Sequence, residues 1–227
     1  VDTSTQTGSV AVLADTRLLA EVAVTSSRTH AKRLLSVIDR TLHIAGLTVG
    51  DCDGLAVTVG PGGFTGLRIG MSTVKGLAFA ARKPIAAVST LDALAHQFPA
   101  FPNLICPVLD ARKGQIYTAL YRSTAFLVWE KVIQDCAVEP WQWLKQIEGS
   151  CLFVGDGALV YRELINQTLG RRAYFAPAYL NTIRASVVAY IGMQQILKGE
   201  IADVETLAPY YLRKSEAEIK LGAAVDY

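Results

Sequence analysis

Two aspartates stand at the ends of predicted strands, and each has a glycine a few residues downstream: Asp2 with Gly8, and Asp110 with Gly114. Carboxylates at such positions can hold Mg²⁺ through water, and glycines let backbone amides come close to phosphate. Two hairpins of this kind that face each other across a cleft would bracket the phosphates of a nucleotide. The simpler alternative is that both aspartates only cap hairpin turns.

A glycine-rich turn gives the other distinctive pattern. Residues 55–59 predict a buried strand, residues 60–66 (Gly-Pro-Gly-Gly-Phe-Thr-Gly) a sharp turn, and residues 67–81 a helix with Thr65 as its N-cap. The turn is neither a Walker loop nor a Rossmann fingerprint, because no Gly-Lys-Ser/Thr closes it and Thr65 stands where the third small residue should be. It still places free helix amides at the carboxyl end of a strand, where open α/β sheets tend to bind ligands.

The histidines, serines and cysteines do not form a catalytic pattern. Of His30, His43 and His96, no two lie four residues apart, as a metal-binding pair on one helix would. No serine or cysteine lies in a Gly-x-Ser-x-Gly elbow, so a nucleophile is not indicated either. We therefore predict no catalytic residue and no metal site. Four widely spaced cysteines are expected to be free thiols of a reducing cytosol: Cys52, Cys106, Cys136 and Cys151.

The composition indicates a globular protein. Of the 227 residues, 51% are hydrophobic and 19% are charged, which excludes a disordered chain. The formal charge of +2, from 22 basic and 20 acidic residues, is too balanced to indicate nucleic-acid binding by itself. No apolar run approaches the ~18 residues of a membrane helix, so we expect a cytoplasmic protein without a membrane partner. Since Val1 comes directly before a predicted strand end, we expect the true N-terminus to lie a few residues upstream.

The order of the predicted elements repeats along the chain. Three strands followed by alternating helices and strands occur once before residue 98 and again after residue 104. Such a repeat indicates a duplicated α/β unit. Because Pro99 and Pro102 interrupt the pattern between the two copies, we divide the chain into subdomains 1–98 and 104–227.

Two predicted helices of the first half are unusually apolar. The helix over 67–81 is apolar nearly all round, and the helix over 29–45 carries one stripe at helical spacing, formed by Ala31, Leu34, Leu35, Ile38, Leu42 and Ala45. Burial between the sheet and a neighbouring helix explains this pattern, and so does packing against the equivalent helices of a partner. In the second case, a Val74→Glu change is expected to abolish assembly and to leave the fold mostly intact.

Short motifs along nearly the whole chain resemble one known family. They are VDTST at 1–5, GSV at 8–10, THA at 29–31, VGPGGFTGLRIG at 59–70, GLA at 76–78, VSTL at 88–91, LDAR at 109–112, GDGA at 155–158 and PYYLR at 209–213. Together and in this order they resemble the TsaB (YeaZ) family, and the block at 59–70 is the most specific of them. The resemblance implies an α/β, actin-like (ASKHA) duplicated ribonuclease-H-like fold with two subdomains.

The resemblance also implies a function. The chain would be a non-catalytic subunit in the modification of tRNA to threonylcarbamoyladenosine beside the anticodon. It would bind a TsaD-type transferase, a TsaE-type ATPase would join the pair, and tRNA would be reached only through the complex. In isolation we expect a homodimer. No cofactor is expected on this chain alone, and any ATP or ADP with Mg²⁺ would lie at the interface of the assembled complex.

Two sets of candidate residues follow from the motifs and the resemblance. The set predicted to face the partner is His30, Leu34, Ile38, Leu42, Arg68, Met71, Val74, Lys75 and Ala78. The set predicted to contact a nucleotide or phosphate is Asp2, Thr3, Gly8, Gly62, Asp110, Arg112 and Gly157. Arg68 opposes the dipole of the helix that it opens, which indicates an anionic neighbour. Two other functions stay open: an actin-fold phosphotransferase that acts on a small metabolite, and a metallopeptidase.

Overall fold

The structure is a computed structural model that describes residues 1–26, 30–126 and 128–213. The first half forms, in order, β1 (Thr7–Ala14), β2 (Arg17–Thr25), α1 (Leu34–Ala45), β3 (Leu55–Gly60), α2 (Phe64–Ala81), β4 (Ile85–Ser89) and α3 (Thr90–Ala95). The second half forms β5 (Leu104–Arg112), β6 (Gln115–Ala125), β7 (Val128–Val138), α4 (Pro140–Leu144), β8 (Cys151–Val154), α5 (Asp156–Val160), α6 (Arg162–Leu169), β9 (Ala173–Phe175) and α7 (Ala185–Leu197).

The two halves have the same strand order. In the second half the sheet runs β7-β6-β5-β8-β9, antiparallel up to β5 and parallel beyond it. In the first half, Val1 and Asp2 take the place of the central strand: the Asp2 amide donates to the Ser9 carbonyl at 2.8 Å, and the Thr58 amide donates to the Val1 carbonyl at 3.1 Å. These bonds join the antiparallel β1–β2 pair to the parallel β3–β4 pair. The predicted duplication of an α/β unit is therefore confirmed.

Each sheet is covered by a helix from the other half of the sequence. In the second half, Ile105 and Leu109 of β5 pack against Leu91 and Leu94 of α3, which follows β4. In return, α7 packs against β1, β3 and β4. The predicted division into 1–98 and 104–227 stays a prediction, but the packing of these two helices crosses it.

Alternate residues of β3 and β4 face two different helix layers. Val57 and Ile85 pack against Val74 and Ala78 of α2, whereas Ala56 and Ala86 face Gly192 of α7 on the other side. This alternation is the two-residue period of a strand that is covered on both faces. The small residues at 56, 86 and 192 allow α7 to lie close to the sheet.

Replacing Gly192 with alanine is expected to lower the free energy of unfolding by about 2 kcal/mol, because overpacking outweighs the gain in helix propensity. A Cβ atom at Gly192 would overlap the Ala56 Cβ and lie 3.1 Å from the Ala86 Cβ. Gly76→Ala is the matched control, since Gly76 is also helical but a Cβ atom added there would meet nothing within 4 Å. That change should raise stability by up to about 1 kcal/mol. Urea unfolding of both variants measures the difference, and equal effects would contradict the packing of α7.

Several element boundaries differ from the prediction. The helix α2 begins at Phe64, three residues before the predicted start, and its N-cap is Gly63 instead of Thr65. The Gly63 amide donates to the Ser4 carbonyl at 2.7 Å, and the Gly63 carbonyl accepts from the Leu67 amide at 3.0 Å, so the helix starts at this contact. The other apolar helix, predicted over 29–45, begins at Leu34 after a single 3₁₀ turn at His30–Lys32. Residue 29 lies outside the described residues.

The helix α3 begins at a side-chain N-cap, and the four predicted free thiols are confirmed. The Ser89 hydroxyl accepts a hydrogen bond from the Asp92 amide at 3.4 Å. All four cysteines are free thiols, with Cys106 and Cys151 buried. Over the described ranges, no helix is both long enough and apolar enough to pass through a bilayer.

Candidate functional site

The strand-end carboxylate of Asp2 is enclosed by its own chain. Its Oδ1 accepts hydrogen bonds from the Ser4 amide at 3.1 Å, the Ser4 hydroxyl at 2.6 Å and the Thr58 hydroxyl at 2.8 Å. Its Oδ2 is buried and has no hydrogen-bond partner in the described part of the chain. Burial raises the pKa of Asp2, against the opposing effect of these hydrogen bonds. The carboxylate therefore ties residues 2–4 to β3, which does not favour its predicted contact with nucleotide phosphate.

The glycines around Asp2 accommodate this chain's own backbone. A Cβ atom at Gly62 would lie 2.5 Å from the Ser4 carbonyl oxygen, and one at Gly8 would lie 2.9 Å from Nδ1 of His30. The Thr3 hydroxyl donates to the Gly66 carbonyl at 2.8 Å. In this conformation Ser4 and His30 occupy the space that Gly62 and Gly8 leave, which does not favour phosphate there. The contact of Thr3, Gly8 and Gly62 with phosphate stays a prediction.

The second strand-end aspartate, Asp110, has a different environment. It is exposed, and its Oδ1 accepts a hydrogen bond from the Arg112 amide at 2.9 Å. Its amide donates to Oδ1 of Asp156 at 3.1 Å, and burial raises the pKa of Asp156. At Gly157, a Cβ would lie 2.9 Å from the Asp110 amide nitrogen, so this glycine lets α5 approach β5. Asp110 and the exposed Arg112 stay candidates for an anion or phosphate contact. The equivalent aspartate of the first half, Asp2, is enclosed and does not face them across an open site.

Six of the nine residues predicted to face a partner are buried in this chain's own core. On α1, Leu34, Ile38 and Leu42 are at most 8% exposed and pack against Val10 and Val12 of β1. On α2, the buried positions are Met71, Val74 and Ala78, none more than 3% exposed. The apolar stripes thus attach the helices to this chain's own sheet, which does not favour these six side chains as partner contacts, and their assignment to an interface stays a prediction.

Two of the remaining three predicted residues are tied to nearby backbone. The His30 Nε2 atom lies 2.8 Å from the Thr5 carbonyl oxygen, to which it donates. The Lys75 ammonium donates to the carbonyls of Glu205 at 3.3 Å and Leu207 at 3.0 Å. Both side chains thus fix loops of this chain, and Arg68 is the predicted interface residue that stays on the surface.

Together with Arg68, residues of α1 and α2 outside the predicted interface set form an exposed surface. On α2, Arg68, Ser72, Gly76 and Phe79 are spaced by four, four and three residues and are all exposed. Phe79 is 80% exposed, and Leu35 on α1 is 61% exposed. We call these five residues the α1–α2 face: Leu35, Arg68, Ser72, Gly76 and Phe79. Arg68 belongs to the predicted interface set and Leu35 to the predicted apolar stripe. Only the helical spacing from Arg68 could have indicated the other three, Ser72, Gly76 and Phe79.

A groove lies between the two helices of this face. It has a volume of about 320 Å³ and is lined by Ala31, Leu34, Leu35, Arg68, Ile69, Ser72 and Thr73. Its walls are small or apolar except for the guanidinium of Arg68. An exposed phenylalanine and leucine beside a smooth, small-residue surface favour contact with another apolar surface.

The arginine of the face is held by aromatic rings. The rings of Phe64 and Tyr211 stack with centroids 4.0 Å apart and an angle of 5° between their planes. The Arg68 guanidinium carbon lies 4.4 Å from the Phe64 centroid, and Arg68 Nε donates to the Tyr211 hydroxyl at 2.9 Å. The segment that carries Tyr211 is anchored on both sides, by the Tyr210 amide to the Val59 carbonyl at 2.8 Å and by Arg213 to Gln115 Oε1 at 3.3 Å.

Metal-ligating residues do not cluster in the described parts of the chain. No group of three or more histidines, cysteines, aspartates and glutamates there could hold a metal ion. A second cavity, of about 360 Å³, lies between the β1–β2 hairpin and α7. Its Arg184 already pairs with Glu21, and burial lowers the pKa of its His96, whose Nδ1 donates to the Asp92 carbonyl at 2.8 Å.

The paired sheets, each covered by a helix from the other half, define a duplicated ribonuclease-H-like fold of the actin-like class. The sequence matches the family described as TsaD, tRNA N6-adenosine threonylcarbamoyltransferase, over residues 19–221. It is 34% identical to the tRNA threonylcarbamoyladenosine biosynthesis protein TsaB of Bacillus subtilis, over 97% of this chain and 95% of that protein. The TsaB protein of Haemophilus influenzae is 31% identical over the same shares of the two chains.

A solved structure agrees with these relatives. It belongs to an uncharacterized Pseudomonas aeruginosa protein with similarity to peptidase YeaZ, and it superimposes on this chain with a TM-score of 0.77 at 28% identity. The superposition covers 93% of this chain and 97% of that one. The chain belongs to the TsaB (YeaZ) family, as its motifs predicted.

Proposed function

We propose that this chain acts in the biosynthesis of threonylcarbamoyladenosine in tRNA as a non-catalytic subunit that binds a TsaD-type transferase through the α1–α2 face. The names of its TsaB relatives support the pathway. Support for a non-catalytic role comes from the enclosed Asp2 carboxylate. On the basis of the family resemblance, we further propose that a TsaE-type ATPase joins the pair and that tRNA is bound through the complex.

The observation that carries the proposal is the character of the α1–α2 face. Phe79 and Leu35 expose most of their surface to solvent, and next to them Gly76 leaves open space within an 18-residue helix. A glycine in the middle of a helix costs up to about 1 kcal/mol relative to alanine. Nothing in the described chain occupies the space at Gly76. The close approach of a helix from another protein would explain why a glycine stands at this position.

A TsaD-type transferase is a suitable partner for this face because such transferases are related in sequence to this chain. The family match covers residues 19–221, which include both helices of the face. A related subunit would therefore present two equivalent helices, and two such pairs can pack as a four-helix layer about a pseudo-twofold axis. A second copy of this chain can use the same face, which supports the proposed homodimer in isolation.

The proposal is tested with a Gly76→Arg variant. We expect its affinity for the TsaD-type paralogue of the same organism to fall at least about 100-fold, because a long charged side chain in the centre of an interface prevents close packing. The variant should unfold at or slightly above the thermal midpoint of the wild type, since the site is open and arginine favours a helix more than glycine does. Isothermal titration calorimetry with the purified paralogue measures the affinity.

Asn166→Arg is the matched control, because it adds the same side chain at an exposed position of α6 in the other half. It should bind the paralogue as the wild type does. If Gly76→Arg also binds normally, the α1–α2 face is not the docking surface. If the folded wild type does not bind at micromolar concentrations, the subunit role itself is wrong.

A further inference from the structure

We propose that Arg68 is the residue by which the α1–α2 face recognises its partner, and that it binds a carboxylate of the partner protein at the edge of the groove. This inference rests on the proposed function, because it assumes that a protein docks on this face. It goes beyond that function by assigning the chemistry of the contact and the residue that decides between partners.

The guanidinium of Arg68 is already held in place. Stacking over Phe64 and the hydrogen bond from Nε to the Tyr211 hydroxyl fix its plane beside the groove. These contacts leave both terminal nitrogens, Nη1 and Nη2, without a hydrogen bond to any described residue. Two parallel N–H donors on one edge of a planar group match the two oxygens of a carboxylate.

The charge of Arg68 has no counterpart in the described chain. The ion pairs of these residues join Lys131 to Asp92 and Asp135, and Arg184 to Glu21. The helix α2 contains no aspartate or glutamate. Because α2 begins at Phe64, Arg68 is its fifth residue and lies beyond the first turn, so the predicted opposition to the helix dipole is small. A cation that is oriented by two aromatic rings beside an apolar groove, with no carboxylate on its own helix, fits an anion supplied from outside.

The surrounding charges favour a different protein over a second copy. Lys32 and Arg40 are exposed on the neighbouring segment, and α1 has a single carboxylate, Asp39. Two copies of the face would therefore bring mostly positive charges together, whereas a related subunit with carboxylates on its matching helices would be attracted. We infer that Arg68 directs the chain toward an acidic sister subunit and weakens its self-association.

The test compares Arg68→Gln and Arg68→Lys with the wild type, as full-length proteins titrated with the TsaD-type paralogue. At about 50 mM salt, Arg68→Gln should bind about 30-fold more weakly, and Arg68→Lys should lose less, because it keeps the charge but not the paired donors. At about 500 mM salt the difference between Arg68→Gln and the wild type should shrink to a few-fold. Self-association, followed by sedimentation velocity, should change in the opposite sense: it should strengthen in Arg68→Gln at low salt.

Tyr211→Phe separates the orientation of Arg68 from its charge. It removes the hydrogen bond to Nε and keeps the ring that stacks on Phe64, so binding should weaken about 3-fold without a change in salt dependence. A loss in Tyr211→Phe as large as in Arg68→Gln would instead indicate that the aromatic cluster itself forms the contact, which overturns the assignment to a carboxylate.

The remaining outcomes separate this inference from the proposed function. If Arg68→Gln binds as the wild type does at both salt concentrations while Gly76→Arg fails to bind, the face docks the partner but Arg68 does not recognise it. If neither variant weakens binding, both proposals fail. If the isolated wild type binds Mg-ATP and Arg68→Gln does not, the anion is a phosphate and the carboxylate assignment is wrong.

Discussion

Replacing Val74 with glutamate is expected to unfold the chain, so that no folded protein is left to test for assembly. Val74 is 1% exposed and packs with Val57, Ala78 and Ile85 between α2 and the first sheet. A carboxylate there would have no ion-pair partner among the described residues of this apolar cluster, and burying such a group costs at least about 4 kcal/mol. That cost is a large part of the free energy of unfolding of a typical domain, which is roughly 5–15 kcal/mol. Far-ultraviolet circular dichroism and urea unfolding measure the effect.

Gly76→Glu is the control for this variant, because it places the same side chain two residues away on the exposed side of α2. We expect it to fold and to unfold within about 1 kcal/mol of the wild type. A folded Val74→Glu protein with wild-type stability would contradict the orientation of α2 and would return Val74 to the set of interface residues.

Replacing Asp2 with asparagine is expected to remove a pH dependence of stability. Burial raises the pKa of Asp2 above its ordinary value of 3.8. Between these two pKa values the folded protein keeps a proton that the unfolded chain releases. The free energy of unfolding therefore falls as pH rises through this range, by up to about 1.4 kcal/mol per pH unit. Asparagine keeps the acceptor for Ser4 and Thr58 but does not titrate, so the decline should disappear.

Urea unfolding of wild type and Asp2→Asn at a series of pH values, beginning near 3.8, tests this expectation. Other groups contribute to the pH profile, among them Asp156 with a raised pKa and Glu21 with a lowered one, so the difference between the two profiles is the quantity of interest. The control is Asp39→Asn, which makes the same substitution at an exposed position of α1. If Asp2→Asn keeps the wild-type decline, another buried group holds the proton.

The order of elements could be predicted from the sequence because it depends on local patterns. Alternation and β-branched runs indicated the strands, and the repeated order of strands and helices indicated the duplication that the sheets show. The end of α2 at Ala81 was predicted, but its start was not, because the first turn depends on the bond between Gly63 and Ser4, which are far apart in the sequence.

The candidate site was harder to predict, for two physical reasons. An apolar stripe such as Leu34, Ile38 and Leu42 has the same spacing whether it faces its own sheet or a partner, so only the packing decides. The contact between Arg68 and Tyr211 joins residues 143 positions apart, and no local pattern reports it. Likewise, Asp2 and Asp110 are equivalent in sequence and differ in exposure, because only Asp2 is covered by residues 3–5 and β3.

The crossed positions of α3 and α7 bear on how such a molecule can evolve. A plain tandem duplication yields two modules that can each survive the loss of the other. Here the apolar faces of Ile105 and Leu109 would be left open without α3, and those of β3 and β4 without α7. Each repeat therefore depends on a helix of the other repeat to cover its sheet, so that neither could be lost alone during evolution.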